Sequence, residues 1–240
     1  MTPEQAKRLQ YLEAIGIDVW LSRTIAPLSE KLLNIETAET DFDCEIGAPA
    51  DHAALSAQWE TLIDAVRQCR LCPLCTSRTQ TVFGSGSKNA DWMLIGEAPG
   101  QQEDLEGLPF VGSAGLLLTE MLRAIGLGRD EVYIANILKC RPPGNRDPKP
   151  EEAAQCRQYL DQQIALIQPK IILAVGRIAA QTLLVTTSPL SRLRGKIHTL
   201  NDTPLVVVYH PAYLLRNLID KRKAWEDLQF ALRTYHQNNN

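Results

Sequence analysis

The 240-residue sequence predicts an α/β protein, a three-layer α/β/α sandwich around a central parallel four-stranded sheet. Short apolar runs at residues 92–95, 132–138, 171–175 and 205–209 alternate with longer helical patterns at 114–125, 150–167, 178–184 and 224–235. That alternation is what a parallel sheet with helices on both faces requires. Local end signals agree: Ser113 stands where it can cap one helix, Gly126 where it can end it, and Pro150 with Glu151 and Glu152 suits a first helical turn. Ligands of such folds lie beyond the carboxyl ends of the strands. Three segments fall there: Gly96-Glu97-Ala98-Pro99-Gly100, Lys139-Cys140-Arg141-Pro142-Pro143 and His210-Pro211-Ala212.

Ahead of the first strand, Leu55, Trp59, Leu62, Ile63 and Val66 share one face of a helix predicted over 52–68. Leu9, Leu12 and Ile15 have helical spacing in a shorter N-terminal segment, and residues 34–50 are acidic and without periodicity, as a linker is. The division expected is residues 1–50 as an N-terminal helix with an acidic linker, its role unreadable, and 51–240 as the functional domain. The chain is 45% hydrophobic and 22% charged, which places it among soluble globular proteins with one substantial core. No apolar run approaches the roughly 18 residues of a membrane span, and residues 1–10 are polar, so no signal peptide or membrane partner is expected and the location expected is the cytoplasm.

Charge is unevenly placed. Residues 1–66 carry four basic and twelve acidic side chains, net −8, whereas 67–240 carry 21 and 16, net +5. The basic groups gather as Lys139, Arg141, Arg146 and Lys149, as Arg192, Arg194 and Lys196, and as Arg216, Lys221, Arg222 and Lys223. Each cluster lies in or beside a predicted loop, where nucleic-acid phosphates can be met. Gly84-Ser85-Gly86-Ser87 has the composition of a phosphate nest.

Thiols stay reduced in the cytosol, so the six cysteines, Cys44, Cys69, Cys72, Cys75, Cys140 and Cys156, point to a metal centre before disulfides. Cys69, Cys72 and Cys75 follow one another at steps of three, with Cys140 and Cys156 far downstream. Four thiolates can hold zinc or an iron-sulfur cluster, and spacing alone does not separate the two. The long interval from Cys140 to Cys156 differs from the tight pairs of a zinc ribbon, which favours the cluster.

Around these cysteines, the run from Gly96 to Gly100, then Glu103-Asp104, Gly107, Pro109-Phe110-Val111-Gly112 and Ala114-Gly115, resembles the first signature of the family 4 uracil-DNA glycosylases. Asn136-Ile137-Leu138-Lys139-Cys140-Arg141-Pro142-Pro143-Gly144-Asn145-Arg146 and His210-Pro211-Ala212-Tyr213-Leu214-Leu215-Arg216 extend the resemblance over roughly residues 67–230. It implies a uracil-DNA glycosylase-like sandwich, a base excision repair hydrolase that removes uracil from single- or double-stranded DNA, a monomer, and a [4Fe-4S] cluster. The family's ligand positions fall on Cys69, Cys72, Cys140 and Cys156, because Pro73-Leu74 and Arg78 follow Cys72 as they do in the family; Cys75 competes with Cys69 for its place.

The resemblance also assigns roles that suit base excision. A base stacked in a duplex must be rotated out before its bond can be attacked. Phe110 matches the stacking aromatic, and Asn136, with one donor and one acceptor, reads the uracil edge. His210 matches a donor to uracil O2, stabilising the charge that develops on the departing base. The better known uracil glycosylases carry an Asp where this chain has Ala98, here counted with the substrate contacts, so water positioning is assigned to Glu97 with Asn145, supported by Glu103. Arg141, Arg146, Leu214, Leu215 and Arg216 are the expected DNA contacts, with an apolar side chain filling the vacated stack. Two rivals stand beside this reading: a non-catalytic DNA-binding member of the same superfamily, encouraged by Ala98, and a zinc-bearing redox or nucleotide-binding α/β protein. The second leaves Phe110, Asn136 and His210 unexplained.

Overall fold

In the four central strands, successive side chains take turns on two buried faces, and this builds the layers. The computed structural model describes residues 50–238; the N-terminal helix and acidic linker expected over 1–50 lie outside the described residues. Helix α1 (Ala50–Arg67) leads through a short 3-10 turn (Pro73–Thr76) to edge strand β1 (Ser85–Gly86) and to β2 (Trp92–Gly96). There follow α2 (Gln101–Glu106), α3 (Ser113–Ala124), β3 (Tyr133–Asn136), α4 (Pro150–Ile167), β4 (Ile171–Val175), α5 (Arg177–Leu183) and α6 (Leu190–Leu193). The chain continues through β5 (Ile197–Leu200), β6 (Thr203–Val208), α7 (Pro211–Arg216) and α8 (Lys221–Asn238).

The sheet order is β1-β3-β2-β4-β6-β5. The inner four strands are parallel, as predicted. Two antiparallel edge strands extend them, β1 against β3 and β5 against β6. Met93, Ile95, Tyr133, Ala135, Ile172, Ala174, Leu205 and Val207 face one layer, with Trp59, Leu62 and Val66 of α1, Leu160 and Ile164 of α4 and Ala179 and Leu183 of α5. Their neighbours Trp92, Leu94, Ile134, Ile171, Leu173, Val175, Val206 and Val208 face the other, with Leu118 and Leu122 of α3 and Ala224 and Leu228 of α8. Strands buried on both faces read as unbroken apolar runs, which is why they were visible in the sequence.

Several local expectations change. Ser113 is the first residue of α3 and Gly112 takes the cap position, while Glu103 Oε1 accepts from the N–H groups of Val111 and Gly112, just ahead of the helix, at 3.1 and 3.3 Å. Gly126, at φ 81, does end that helix, and Glu152 accepts from the Lys149 N–H at 2.9 Å at the start of α4. Ser85-Gly86 is paired strand, not a phosphate nest. A Cβ on Gly86 would drive into the Val132 carbonyl, so the glycine serves the pairing. The β5–β6 hairpin turns on Asn201 and Asp202, both at positive φ (48 and 64), the two-residue turn that asparagine and aspartate tolerate best after glycine.

Candidate active site and thiolate centre

The carboxyl ends of the four parallel strands open into one cleft. Glu97 and Ala98 follow β2, Asn136 ends β3, Gly176 follows β4 and His210 follows β6, and all of them line it together with Glu103, Phe110, Asn145, Arg146 and Arg216. Nine of the predicted site residues thus share one space, although they come from segments more than a hundred residues apart.

Asn136 and Phe110 are fixed by the backbone around them. Phe110 sits at φ 53, a conformation that a bulky residue adopts only when its surroundings impose it. Glu103 holds the next two N–H groups, and the Arg129 guanidinium donates to the Pro109 carbonyl. Gly96 makes room: a Cβ there would lie 2.7 Å from Phe110 Cζ and would strike Asn136 Oδ1. Asn136 is 3% exposed and its Oδ1 has no hydrogen-bond partner, an uncommon state for a buried acceptor.

His210 stands across from Phe110, ring centroids 5.6 Å apart. Its Nδ1 accepts from the Ala212 N–H at 3.1 Å, so in the neutral ring the proton resides on Nε2. Burial first, and Arg216 second, pull its pKa down to about 4 against the opposing charge of Glu103. Glu97 moves the other way: burial, reinforced by the Asp147 carboxylate and opposed by Arg177, pushes it up to about 7. Asp147 and Arg177, which pair at 3.1 Å, line the cleft as well and were missed by sequence reasoning; the Gly176-Arg177 strand end was the available signal.

The expected DNA contacts divide. Arg216 lines the cleft. Arg141 stands behind Asn145, donating to its Oδ1 at 2.8 Å, and Arg146 grips Glu152 with two bonds of 2.9 and 2.6 Å. Leu214 does not present itself to a partner: it is 1% exposed and packs in the core beneath α7, whereas Leu215 is 41% exposed. Of the two leucines expected to meet DNA, Leu214 is therefore withdrawn, and Leu215 keeps an exposed side chain. Arg194, counted in a basic cluster, is taken by Asp227 at 2.6 Å and by the Tyr209 ring.

Cys69, Cys72, Cys75, Cys140 and Cys156 line a second, narrow cavity of ≈ 10 Å³ with Arg78, Lys139 and Tyr159. Burial, and the mutual repulsion of their charged forms, raises Cys72, Cys140 and Cys156. Among the described residues no three His, Cys, Asp or Glu side chains are grouped to clasp one metal ion; the thiols stand around the cavity instead. Arg78 donates to Cys140 Sγ at 3.0 Å, and the Lys139 N–H to Cys156 Sγ at 3.3 Å. Cysteine sulfurs facing a cation and an N–H donor, once deprotonated, are the donor set an iron-sulfur cluster takes.

Comparison with known proteins matches residues 83–229 to the uracil DNA glycosylase superfamily. The chain belongs to that superfamily. Within it, the chain is 46% identical over 167 residues to a type-4 uracil-DNA glycosylase of Archaeoglobus fulgidus, spanning 65% of this chain and 84% of that one. It is 42% identical over 176 residues to the type-4 enzyme of Thermotoga maritima, spanning 72% and 92%. A type-5 uracil-DNA glycosylase of Thermus thermophilus is 28% identical over 157 residues, 52% and 71% of the two chains. The glycosylase superfamily match runs from β1 to the first half of α8, so the cleft and two of the cavity cysteines, Cys140 and Cys156, lie inside it. No helix among the described residues is long and apolar enough to cross a membrane.

Proposed function

We propose that this chain is a base excision repair glycosylase that extrudes uracil from DNA and hydrolyses its N-glycosidic bond, leaving an abasic site. One observation carries the reading: Asn136 Oδ1 is buried without a partner at the floor of a cleft walled by Phe110 and His210. Uracil supplies what that acceptor lacks, an N3–H, with O4 beside it for the Asn136 amide donor; cytosine, with an acceptor at N3, does not. Phe110 lies against the ring face. As the C1′–N1 bond breaks, its electron pair moves onto the base and His210 Nε2–H donates to O2, where that charge collects. Glu97, with Asn145, holds the water whose oxygen bonds to C1′, and the Glu97 carboxylate accepts the proton released. Glu103 acts by holding the Phe110 turn. Arg141, Arg146, Leu215 and Arg216 are the DNA contacts of this reading, with substrate single- or double-stranded and the enzyme a cytoplasmic monomer. The deciding experiment incubates the protein with a labelled oligonucleotide bearing one uracil and then cleaves abasic sites with alkali. Scission at the uracil is expected; a gel shift without scission favours the non-catalytic binder, and the absence of both scission and shift overturns the reading.

Glu97 gives this mechanism a pH signature. Its acting form is the carboxylate, and its pKa in the free enzyme is pushed up to about 7. kcat/KM should therefore rise with pH through about 7 and level off above it, His210 having shed its extra proton near 4. In Glu97→Gln turnover should fall with DNA affinity spared, and the limb near 7 should vanish; a limb unchanged in that variant removes Glu97 from water positioning. The same shift works on stability in the opposite sense. The folded carboxyl binds its proton more tightly than the unfolded one, so its contribution declines as pH rises from 4.5 to about 7.

The cavity cysteines are proposed to hold a [4Fe-4S] cluster through Cys69, Cys72, Cys140 and Cys156. The charges of Cys69 and Cys72 both weigh on Cys156, and Cys69 and Cys72 pack against the core where Cys75 does not. The group when bound would supply a cross-brace between the end of α1, the loop after β3 and α4. Cys140→Ser is expected to lose iron, brown colour and several degrees of Tm, while Cys75→Ser keeps all three. Zinc in place of iron in protein purified without oxygen would overturn the cluster.

A further inference from the structure

Lys139 is an unusual presence in the apolar run Ile137-Leu138-Lys139-Cys140: it is 1% exposed, among the largest fully buried side chains of the described residues. Its ammonium donates to two acceptors, the main-chain carbonyl of Asn136 at 2.9 Å and Gln163 Oε1 at 2.6 Å. Gln163, fully buried on α4, is itself fixed, donating to the Phe83 carbonyl at 2.9 Å and to the Tyr133 hydroxyl at 3.1 Å. The backbone of Lys139 is tied as firmly: its N–H meets Cys156 Sγ at 3.3 Å and its carbonyl accepts from the Val82 N–H at 2.8 Å.

This arrangement joins two places that the sequence lists separately. Cys156 and Gln163 are two turns apart on α4, and Lys139 bridges both of them to the end of β3, where Asn136 reads the base. Asn136 has no side-chain bond holding its Oδ1, so its aim depends on the main chain that carries it, and the Lys139 ammonium grips that main chain at the carbonyl. An error of about 1 Å in such a group is enough to cost on the order of 100-fold in rate.

We propose that Lys139 is a positioning residue that couples the thiolate centre to base reading, holding the Asn136 end of β3 in register with the helix that supplies Cys156. The inference rests on the glycosylase reading above. Under it the cysteine centre is more than a staple at a distance from the chemistry: whatever orders Cys156 and α4 orders Asn136 through one side chain. A Lys139→Met exchange keeps the stem and removes the grip, and Gln163→Leu keeps the lysine but removes its anchor, an independent route to the same loss of grip should the first fail to fold.

The test measures both full-length variants and the unaltered protein for iron and acid-labile sulfide, for affinity of free uracil in the absence of any turnover, and for kcat and KM on a uracil-containing oligonucleotide. Expected are unchanged iron and sulfide per folded chain, uracil affinity and kcat both reduced about 10- to 100-fold in Lys139→Met, a smaller loss of the same kind in Gln163→Leu, and KM for DNA nearly constant. A purely structural role predicts loss of iron or of folded protein, with normal uracil affinity and kcat in what remains loaded. That outcome, or normal uracil affinity in loaded Lys139→Met, overturns the proposal. If the unaltered protein excises no uracil, it is the glycosylase reading that fails.

Discussion

Replacing His210 by leucine is expected to lower kcat on a uracil-containing duplex by about 10²–10³-fold, the usual loss when one preorganised donor to a developing anion is removed, with KM for DNA little changed. The size follows from the state of the ring. Burial keeps it neutral at every pH where the enzyme works, with a pKa of about 4, and the Ala212 N–H occupies Nδ1. The proton is thereby confined to Nε2, and no reorganisation is needed when charge collects on the base. A neutral donor also leaves the acid limb to Glu97, so the His210→Leu profile should retain its inflection near pH 7 at a lower plateau. His210→Gln, which offers an amide N–H on a side chain of similar reach, should recover part of the loss. A flat response, in which His210→Leu turns over uracil like the parent, would leave the departing base without a stabiliser and sink the mechanism.

The parts of this molecule that were legible in the sequence share a physical cause, and so do the parts that were not. β2, β3, β4 and β6 are buried on both faces and advertise themselves as short apolar runs; the residues at their ends, Glu97, Asn136 and His210, then fall at the cleft by topology alone. β5 is half exposed, and α2 and α6 are short, polar pieces with too few apolar positions to show a period. Asn201-Asp202 was the one cue to the hairpin. Leu214 and Leu215 are chemically the same, and only the turn of α7 decides that one is core and the other surface. Charge is partly spent for a similar reason: the pairing of Arg146 with Glu152 and of Arg194 with Asp227 joins residues that no local pattern brings together. Partnerships between residues far apart in sequence, such as Lys139 with Gln163, depend on the packing of α4 against β3, which no local pattern encodes.

Asn136→Leu should separate stability from activity more sharply than any other change. In the free enzyme Asn136 Oδ1 is buried without a donor, a condition that costs about 1–3 kcal/mol. Leucine, of similar shape and with no polar atom, relieves that penalty against Phe110 and the wall left open by Gly96, so Tm should stay level or rise by a few degrees. Turnover should move the other way. With leucine in place the uracil N3–H and O4 enter the pocket unmatched, at about 1–3 kcal/mol for each group, and kcat/KM on uracil should fall about 10²–10⁴-fold. Cytosine loses less, since the native amide already mismatches it, so the preference between the two bases should narrow. Thermal denaturation together with excision rates on paired uracil and cytosine substrates gives both halves of the answer. A variant that loses Tm and activity in step would show that Asn136 is packed as a structural amide, and the base-reading role would pass to another residue.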